Sequence, residues 1–525
     1  MSTQTINRPE SPQSDVVGLF GQGLSKRRRW ASLAVLTASL LVITMDMTIL
    51  NIAIPEMSRE LRPSSDQLLW IVDIYSLVLA GLLVPFAAIA DRWGRKRMLL
   101  LGYTIFAGTS LLVFFSDTAG AVIGLRALLG VGGAMIMPTT LSLIRVIFTN
   151  ARERATALAI WAAVSGLGAA IGPLVGGFLL EHFSWHSAFL VNVPLMAIAL
   201  VAGVFLLPES RVPSKARLDF FAALLSLTGM TALIWSIKQF GKESSLMVPE
   251  ALMALGLAAL LLTWFAMRCL RSESPLLELS LFRSRPFTAG ILAAMGTTFA
   301  MGAGMLLLGQ WLQLVSGNSP IEAGIKMLPV ALAGAIASLA APSLARLTSS
   351  RAVLAGGVGT AGIGLILIGL QPGELSVPMV LMALTLVGFG TGSLALGSAM
   401  IMFGTPESKA GSAAALEESS YEIGSVLGIA ILGSIAALLY RAQFEAGQLL
   451  SQLDAGTAAA AEESIGSAIA IANEMGMPVL AQEASTAFTH SLQTTGLIGG
   501  IIMLVVAAGV FFITPKGTDV SAAQH

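Results

Sequence analysis

The chain has 525 residues, 55% of them hydrophobic and only 11% charged, with a mean hydropathy of +0.81. Soluble domains carry about 25% charged residues, so this composition belongs to an all-α polytopic membrane protein. The formal net charge of zero gives no basis for a nucleic-acid partner, and a single cysteine, Cys269, excludes an intramolecular disulfide framework or a multi-cysteine metal site.

Residues 1–29 are polar and Ser-, Gln- and Pro-rich before the basic cluster Lys26 to Arg29, and read as a cytoplasmic tail. The apolar run that follows is long and lacks a small-x-small cleavage site, so it is expected to be a retained helix rather than a signal peptide. Runs near the ~20 residues needed to cross a bilayer recur at 31–54, 68–90, 98–115, 121–143, 155–180, 187–207, 218–237, 251–267, 287–314, 323–345, 352–370, 378–402, 411–439 and 491–514. That is fourteen predicted spans, the seventh and eighth being the weakest. Residues 440–490 form one long loop whose helical spacing predicts a helical hairpin, and 516–525 form a second tail.

Span 1 carries Asp46 inside AVLTASLLVITMDMTILNIAIP. A carboxylate at that depth is costly unless it lines a wet cavity, pairs or binds something, so Asp46 points to a cation or proton pathway. Asp73 lies near one end of span 2, where water can reach it. The loop after span 2 reads Asp91-Arg92-Trp93-Gly94-Arg95-Lys96-Arg97: a glycine turn between two helix ends, with an acid and several bases able to form pairs that break when two halves move. Arg126 in span 4 needs an acid, carbonyls or water as partner, and glycines follow it.

Span 5 reads Gly168-Ala-Ala-Ile-Gly172-Pro173-Leu-Val-Gly176-Gly177, small-xxx-small spacing that brings backbones close, with a proline that kinks the helix. Span 6 opens with Trp185-His186-Ser187-Ala188-Phe189-Leu190-Val191-Asn192-Val193-Pro194. Span 10 has no acid, only Gly334. Span 13 has three: Glu418 and Glu422, four apart, share a helix face, while Glu417 is expected to point elsewhere, toward the cytoplasmic end. Desolvated carboxylates of this kind can hold a proton that a lipophilic cation displaces. Tyr75, Trp161, Phe299, Met301, Trp311, Phe389 and Tyr421 fall on plausible cavity helices, where aromatic faces attract quaternary ammonium and Met adapts to shape, although core or lipid-facing packing explains each one alone as well.

Of the 30 Lys and Arg residues, 23 fall in the segments assigned inside and six outside, so the positive-inside rule places both termini in the cytoplasm. No nucleophile–base pair and no HExxH motif argues for an enzyme, and no GxxxxGK[ST] loop for an ATP-driven pump.

The loop at Asp91, Arg92, Gly94 and Arg95 resembles the D-R-x-G-R-[KR] signature of the major facilitator superfamily, departing from it only in Ala87, where a glycine is usual. The span-5 glycines and Pro173 resemble that family's antiporter pattern, and Trp185 to Pro194 resembles the W-x-x-x-F-x-x-N-x-P signature of its fourteen-span drug:proton antiporter branch, the QacA/SmvA-type exporters of quaternary ammonium compounds. The resemblance runs from Arg29 to about Pro515. It implies the major facilitator fold: two pseudo-symmetric six-helix bundles, 30–207 and 287–515, with a linker of two extra helices at 208–286. It further implies export of lipophilic cations driven by the proton gradient, without a cofactor or metal, from the bacterial inner membrane, by a monomer. Asp46, Glu418 and Glu422 would then exchange proton for cation, with Arg126, Asp73 and Glu417 in support. Some relatives place an acid where Gly334 stands, so monovalent cations are the expected substrates. The competing expectations are an exporter of a native solute, such as an amino acid, siderophore or metal–tetracycline complex, and a membrane protein that binds without transport.

Overall fold

The computed structural model describes residues 24–61, 63, 65–211, 219–243, 248–272, 275–371, 373–403, 405–406, 409–444 and 455–517. Every regular element among them is helical, as backbone in a lipid environment requires if its polar groups are to be satisfied within the segment. In chain order the helices are α1 (Lys26–Leu61), α2 (Ser65–Trp93), α3 (Arg95–Val113), α4 (Ala119–Ile147), α5 (Ala151–His182), α6 (Ser187–Leu190), α7 (Asn192–Leu206), α8 (Phe220–Glu243) and α9 (Pro249–Arg271). They continue with α10 (Arg285–Gln310), α11 (Pro320–Leu347), α12 (Ser350–Leu370), α13 (Val377–Gly390), α14 (Gly392–Phe403), α15 (Ala410–Phe444), α16 (Ala455–Glu463), α17 (Ile465–Met475) and α18 (Pro478–Ile513).

Each of the fourteen expected spans falls on a helix or a broken helix, and twelve of these are long and apolar enough to cross a membrane. The two outside that set, among the described residues, are α3, whose first turn is Arg95-Lys96-Arg97, and α5, several of whose mid-helix side chains lie outside the described residues. Sequence marks many helix starts. Thr118 and Asn150 cap α4 and α5 by accepting backbone N–H bonds. Ser319 and Glu322 form a reciprocal capping box on α11, with Pro320 at its first turn.

Boundaries differ from expectation where the backbone does something local. The sixth span is split between α6 and α7, because Pro194 has no N–H to bond back to Leu190. The twelfth is split at Thr391, which follows a glycine-rich bend. α10 ends in a π-helical turn, Trp311–Val315, and α18 begins thirteen residues before the expected 491. The extra length of α18 supports α17, and Tyr440 of α15 donates a hydrogen bond of 3.2 Å to the Ala461 carbonyl of α16. The expected helical hairpin is therefore a packed cap on α15 and α18; residues 445–454 lie outside the described residues, as do 1–23 and 518–525 of the tails and 212–218 of the linker.

α1 packs on α5 and α7, α2 on α4, and α3 on α4 and α7. In the second half α10 packs on α15 and α14, α12 on α18 and α13, and α11 on α13 and α14. The two sets meet where α5 lies against α11 and α14, and where α15 lies against α2 and α4. α8 inserts its Met230, Ile234 and Ile237 between α2 and α15, so the α8–α9 hairpin covers one seam between the sets.

Candidate functional site

At one end of the molecule α2 and α3 join through Gly94, whose φ of +128° lies where L side chains are strained. A Cβ there would also come within 2.6 Å of Glu209 Oε1. Glu209, just beyond α7, accepts from the Lys96 backbone N–H at 3.2 Å and pairs with Arg97 at 3.5 Å, so it caps α3. Gly94→Ala should therefore lower the melting temperature of the purified protein by several degrees, the equivalent of about 1–3 kcal/mol, measured in detergent; an unchanged melt would mean that this turn bears no strain.

Asp91 receives Arg95 at 2.9 Å and also the backbone N–H of Gly411, near the start of α15. A Cβ on Gly411 would lie 2.2 Å from Asp91 Oδ2. Arg92 occupies the last turn of α2 beside it. The Asp91 motif thus touches the second set of helices directly. Arg145 of α4 adds a second tie, donating to the Thr405 carbonyl at 2.8 Å.

Deeper in the molecule, Asp46 and Arg126 meet. Asp46 is fully buried and Arg126 nearly so; their Oδ2 and Nη1 atoms lie 3.0 Å apart. Asn192 Nδ2 donates to the other carboxylate oxygen at 2.7 Å. Arg126 Nε donates to the Ile71 carbonyl at 3.3 Å, and the guanidinium stands 4.5 Å from the centre of the Tyr75 ring. Three helices, α1, α4 and α7, therefore supply one polar knot in an apolar interior. In this conformation Asp46 is a paired acid rather than the wall of an open cavity.

The span-5 glycines explain how α1 is held there. A Cβ on Gly168 would fall 1.9 Å from the Thr44 hydroxyl, and one on Gly172 2.0 Å from that of Thr48, both flanking Asp46. Gly176 is buried and Gly177 abuts Ile321 of α11; the Pro173 side chain lies outside the described residues. Gly168→Leu or Gly172→Leu should separate α1 from α5 and abolish folding yield or transport, whereas Gly166→Ala, which meets nothing within 4 Å, should be silent in both assays. Equal behaviour of the three variants would remove α1–α5 contact from the account.

The second polar group is on α15. Glu417 does not point to a helix end. It is fully buried, accepts at 2.5 Å from Tyr421, which shares its helix face four residues on, and accepts from the Ser398 hydroxyl of α14. Tyr421 stacks on Trp161 of α5 at 6.4 Å, and the Trp161 indole donates to Thr140 of α4 at 3.2 Å. Glu417, Tyr421, Trp161 and Thr140 thus form a polar and aromatic chain from one helix set to the other. Glu418 is also fully buried, and neither carboxylate oxygen has a hydrogen-bond partner among the described residues. Glu422, one turn on, is half-buried and lies in the field of Lys238 from α8.

Other candidate positions scatter. Asp73 lies in α2, its side chain outside the described residues. Tyr75 is not pocket wall but lies beneath Arg126, with no exposed surface. Trp311 donates from the π turn to Thr489 of α18 at 3.1 Å and so packs on α18. Phe299 is buried, Met301 half-buried, and Phe389 exposed on α13. Asn192 belongs to the span-6 signature yet was not among the candidate site residues; the signal for it was an amide on an otherwise apolar helix. At Gly334 a Cβ would meet the Thr391 hydroxyl at 2.4 Å, so the α11–α13 contact leaves no room for an acid.

Comparison with known proteins agrees with this architecture. The chain is 39% identical to the multidrug efflux pump LfrA of Mycolicibacterium smegmatis over 92% of its length and 96% of that protein's. It is 35% identical to the methyl viologen resistance protein SmvA of Salmonella typhimurium, over 93% of this chain and 99% of that one. The tetracenomycin C resistance and export protein of Streptomyces glaucescens is 31% identical, over 83% and 80%. Among solved structures, the human organic anion transporter MFSD10 superposes with a TM-score of 0.58 at 15% identity, covering 90% of this chain and 99% of that one. A bacterial homologue of the lysosomal transporter Spinster gives 0.55 at 18% identity, covering 93% and 97%; at these identities both likenesses concern the fold. Residues 36–429 match the family model of the Major Facilitator Superfamily, and the chain belongs to that family: it is a membrane transporter, not an enzyme.

Proposed function

We propose that this transporter is a proton-coupled antiporter that exports lipophilic cations, such as quaternary ammonium antiseptics and cationic dyes, by alternating access. The observation that carries this reading is the pair of acid sites, buried Asp46 with Arg126 in one helix set and buried Glu417 and Glu418 with half-buried Glu422 in the other, on helices that meet across the seam. Relatives named for multidrug efflux and for methyl viologen resistance support the substrate class. Residues 30–207 and 287–515 act as the two moving bundles, with 208–286 as the inserted hairpin; all fourteen spans cross the bacterial inner membrane, both termini are cytoplasmic, and the working unit is a monomer.

An acid in such surroundings carries either a proton or a cation partner, and one carboxylate cannot serve both. Proton entry from outside releases the drug; proton loss to the cytoplasm restores the site. The ties at Asp91 and Arg145 hold the cytoplasmic side together, and their rupture accompanies inward opening. A gradient of ~100 mV contributes about 2.3 kcal/mol for each charge moved. The packed Gly334 crossing supports a preference for monovalent cations.

The test is proton release. Adding tetraphenylphosphonium to the purified protein in weak buffer should acidify the solution, and the Asp46→Asn, Glu418→Gln double variant should not. Cation binding without proton release would contradict antiport. The resemblance to a tetracenomycin C resistance and export protein supports one competing reading, a specialised-solute exporter; it would gain from transport of such a solute by a protein that ignores tetraphenylphosphonium.

A further inference from the structure

We infer that Asn192 is the positioning residue for proton exchange at Asp46: its side-chain amide donates to the charged carboxylate and turns over to accept from the protonated acid. The inference deepens the antiport reading and rests on it, since that reading has Asp46 take up and give back a proton. Asn192 opens α7 directly after the break from α6 and is fully buried. Its Nδ2 donates to Asp46 Oδ1 at 2.7 Å, while Arg126 Nη1 holds Asp46 Oδ2 at 3.0 Å. The other end of the amide, Asn192 Oδ1, is buried and has no hydrogen-bond partner among the described residues.

The two carboxylate oxygens are therefore not equivalent. Arg126 keeps its charge and can only donate, so an incoming proton goes to Asp46 Oδ1, the oxygen that faces the amide. A proton there sets an O–H donor against an N–H donor. A half-turn of the amide replaces that clash with a bond from the acid O–H to the Asn192 carbonyl, which has no other partner to give up among the described residues. Asparagine suits the position because one rotation exchanges its donor for its acceptor. Bonds to an ionised group are about twice as strong as neutral ones, so on balance the amide favours the anion. Trp185 fixes the register of this segment: it is fully buried and donates to Glu60, near the end of α1, at 2.9 Å. The span-6 signature is thus pinned to α1 at both Trp185 and Asn192. Among the described residues, the charged group that meets Asp46 is Arg126, with Tyr75 of α2 beneath it. α6 and α7 contain no titratable side chain; those of α5, Arg152 to Arg154 and Glu181 with His182, lie in its end turns, as does Arg145 of α4.

The experiment follows the infrared carboxyl band of Asp46, the one lost in Asp46→Asn, during a pH titration of the full-length protein in detergent. In Asn192→Leu the anion loses this donor, so Asp46 should bind its proton about tenfold more tightly, one unit of pKa. Its acid carbonyl should also absorb at higher frequency, because the O–H no longer donates. A residue that only ties α7 to α1 would move the melt and leave both readings where they are. If Asn192→Leu fails to fold, wild type with isotope-labelled asparagine carbonyls supplies the test: protonation of Asp46 should lower the frequency of one of them, and Asp46→Asn should abolish that change. An unmoved titration in folded Asn192→Leu overturns the inference, as do asparagine carbonyls that ignore the protonation of Asp46. If the bands move as expected while vesicles show no gradient-driven flux, the antiport reading fails and the role of Asn192 stands; flux with unmoved bands removes Asn192 alone.

Discussion

Arg126→Leu is expected to destabilise the protein by about 3–5 kcal/mol, the usual cost of removing one partner from a buried ion pair. The substitution leaves the fully buried Asp46, among the described residues, with only the Asn192 amide as donor. Adding Asp46→Asn to it should restore most of the loss, because two neutral groups replace two charges and no unpaired ion remains. Asp46→Asn alone should also destabilise, since Arg126 then keeps, among the described residues, only the Ile71 carbonyl and the Tyr75 ring. Thermal melts in detergent measure all three. Similar stability of Arg126→Leu and wild type would mean that water or another group compensates Asp46, and the central knot would lose its structural role. Transport assays on Asp46 variants therefore need the melt beside them, so that lost coupling is separated from lost folding.

The second large effect is expected at Glu418, and it has the opposite character. Because neither carboxylate oxygen has a hydrogen-bond partner among the described residues, Glu418→Gln removes no bond seen there and should leave stability within about 1 kcal/mol of wild type. Gradient-driven export should nevertheless fall by about a hundredfold, the scale of removing a group that acts in the transport step itself. Glu417→Gln should differ: its Oε1 accepts from both Tyr421 and Ser398, so the variant disturbs the stack on Trp161 and lowers stability as well. Full export activity in Glu418→Gln would shift proton exchange to Glu422 or to Asp46.

Much of this was legible in the chain, for physical reasons that differ between residues. Long apolar runs fixed helix existence, since a membrane span tolerates little else. Asp46 and Arg126 stood out because a charge at that depth needs an explanation, and their meeting is the simplest one. The glycines of span 5 announced close packing without naming its partner; only the structure shows that they press on Thr44 and Thr48, on either side of Asp46. Glu417 was misread because i,i+4 reasoning fixes which residues share a face but not which neighbour that face meets. Asn192 was passed over and Tyr75 was read as pocket wall for the same reason: one amide and one phenol on apolar helices acquire meaning only from the groups opposite them. The breaks at Pro194 and Thr391 and the π turn after α10 are local backbone events inside uniformly apolar segments, to which hydropathy is blind.

The most direct measurement of the central claim is ethidium export by the purified protein in proteoliposomes, with and without an imposed proton gradient, in wild type and Asp46→Asn. The account predicts rapid export in wild type only when the gradient is present, its collapse on adding a protonophore, and its loss in Asp46→Asn protein that still melts cooperatively. Ethidium export that proceeds equally without a gradient, or no export by a folded wild-type protein, would contradict it.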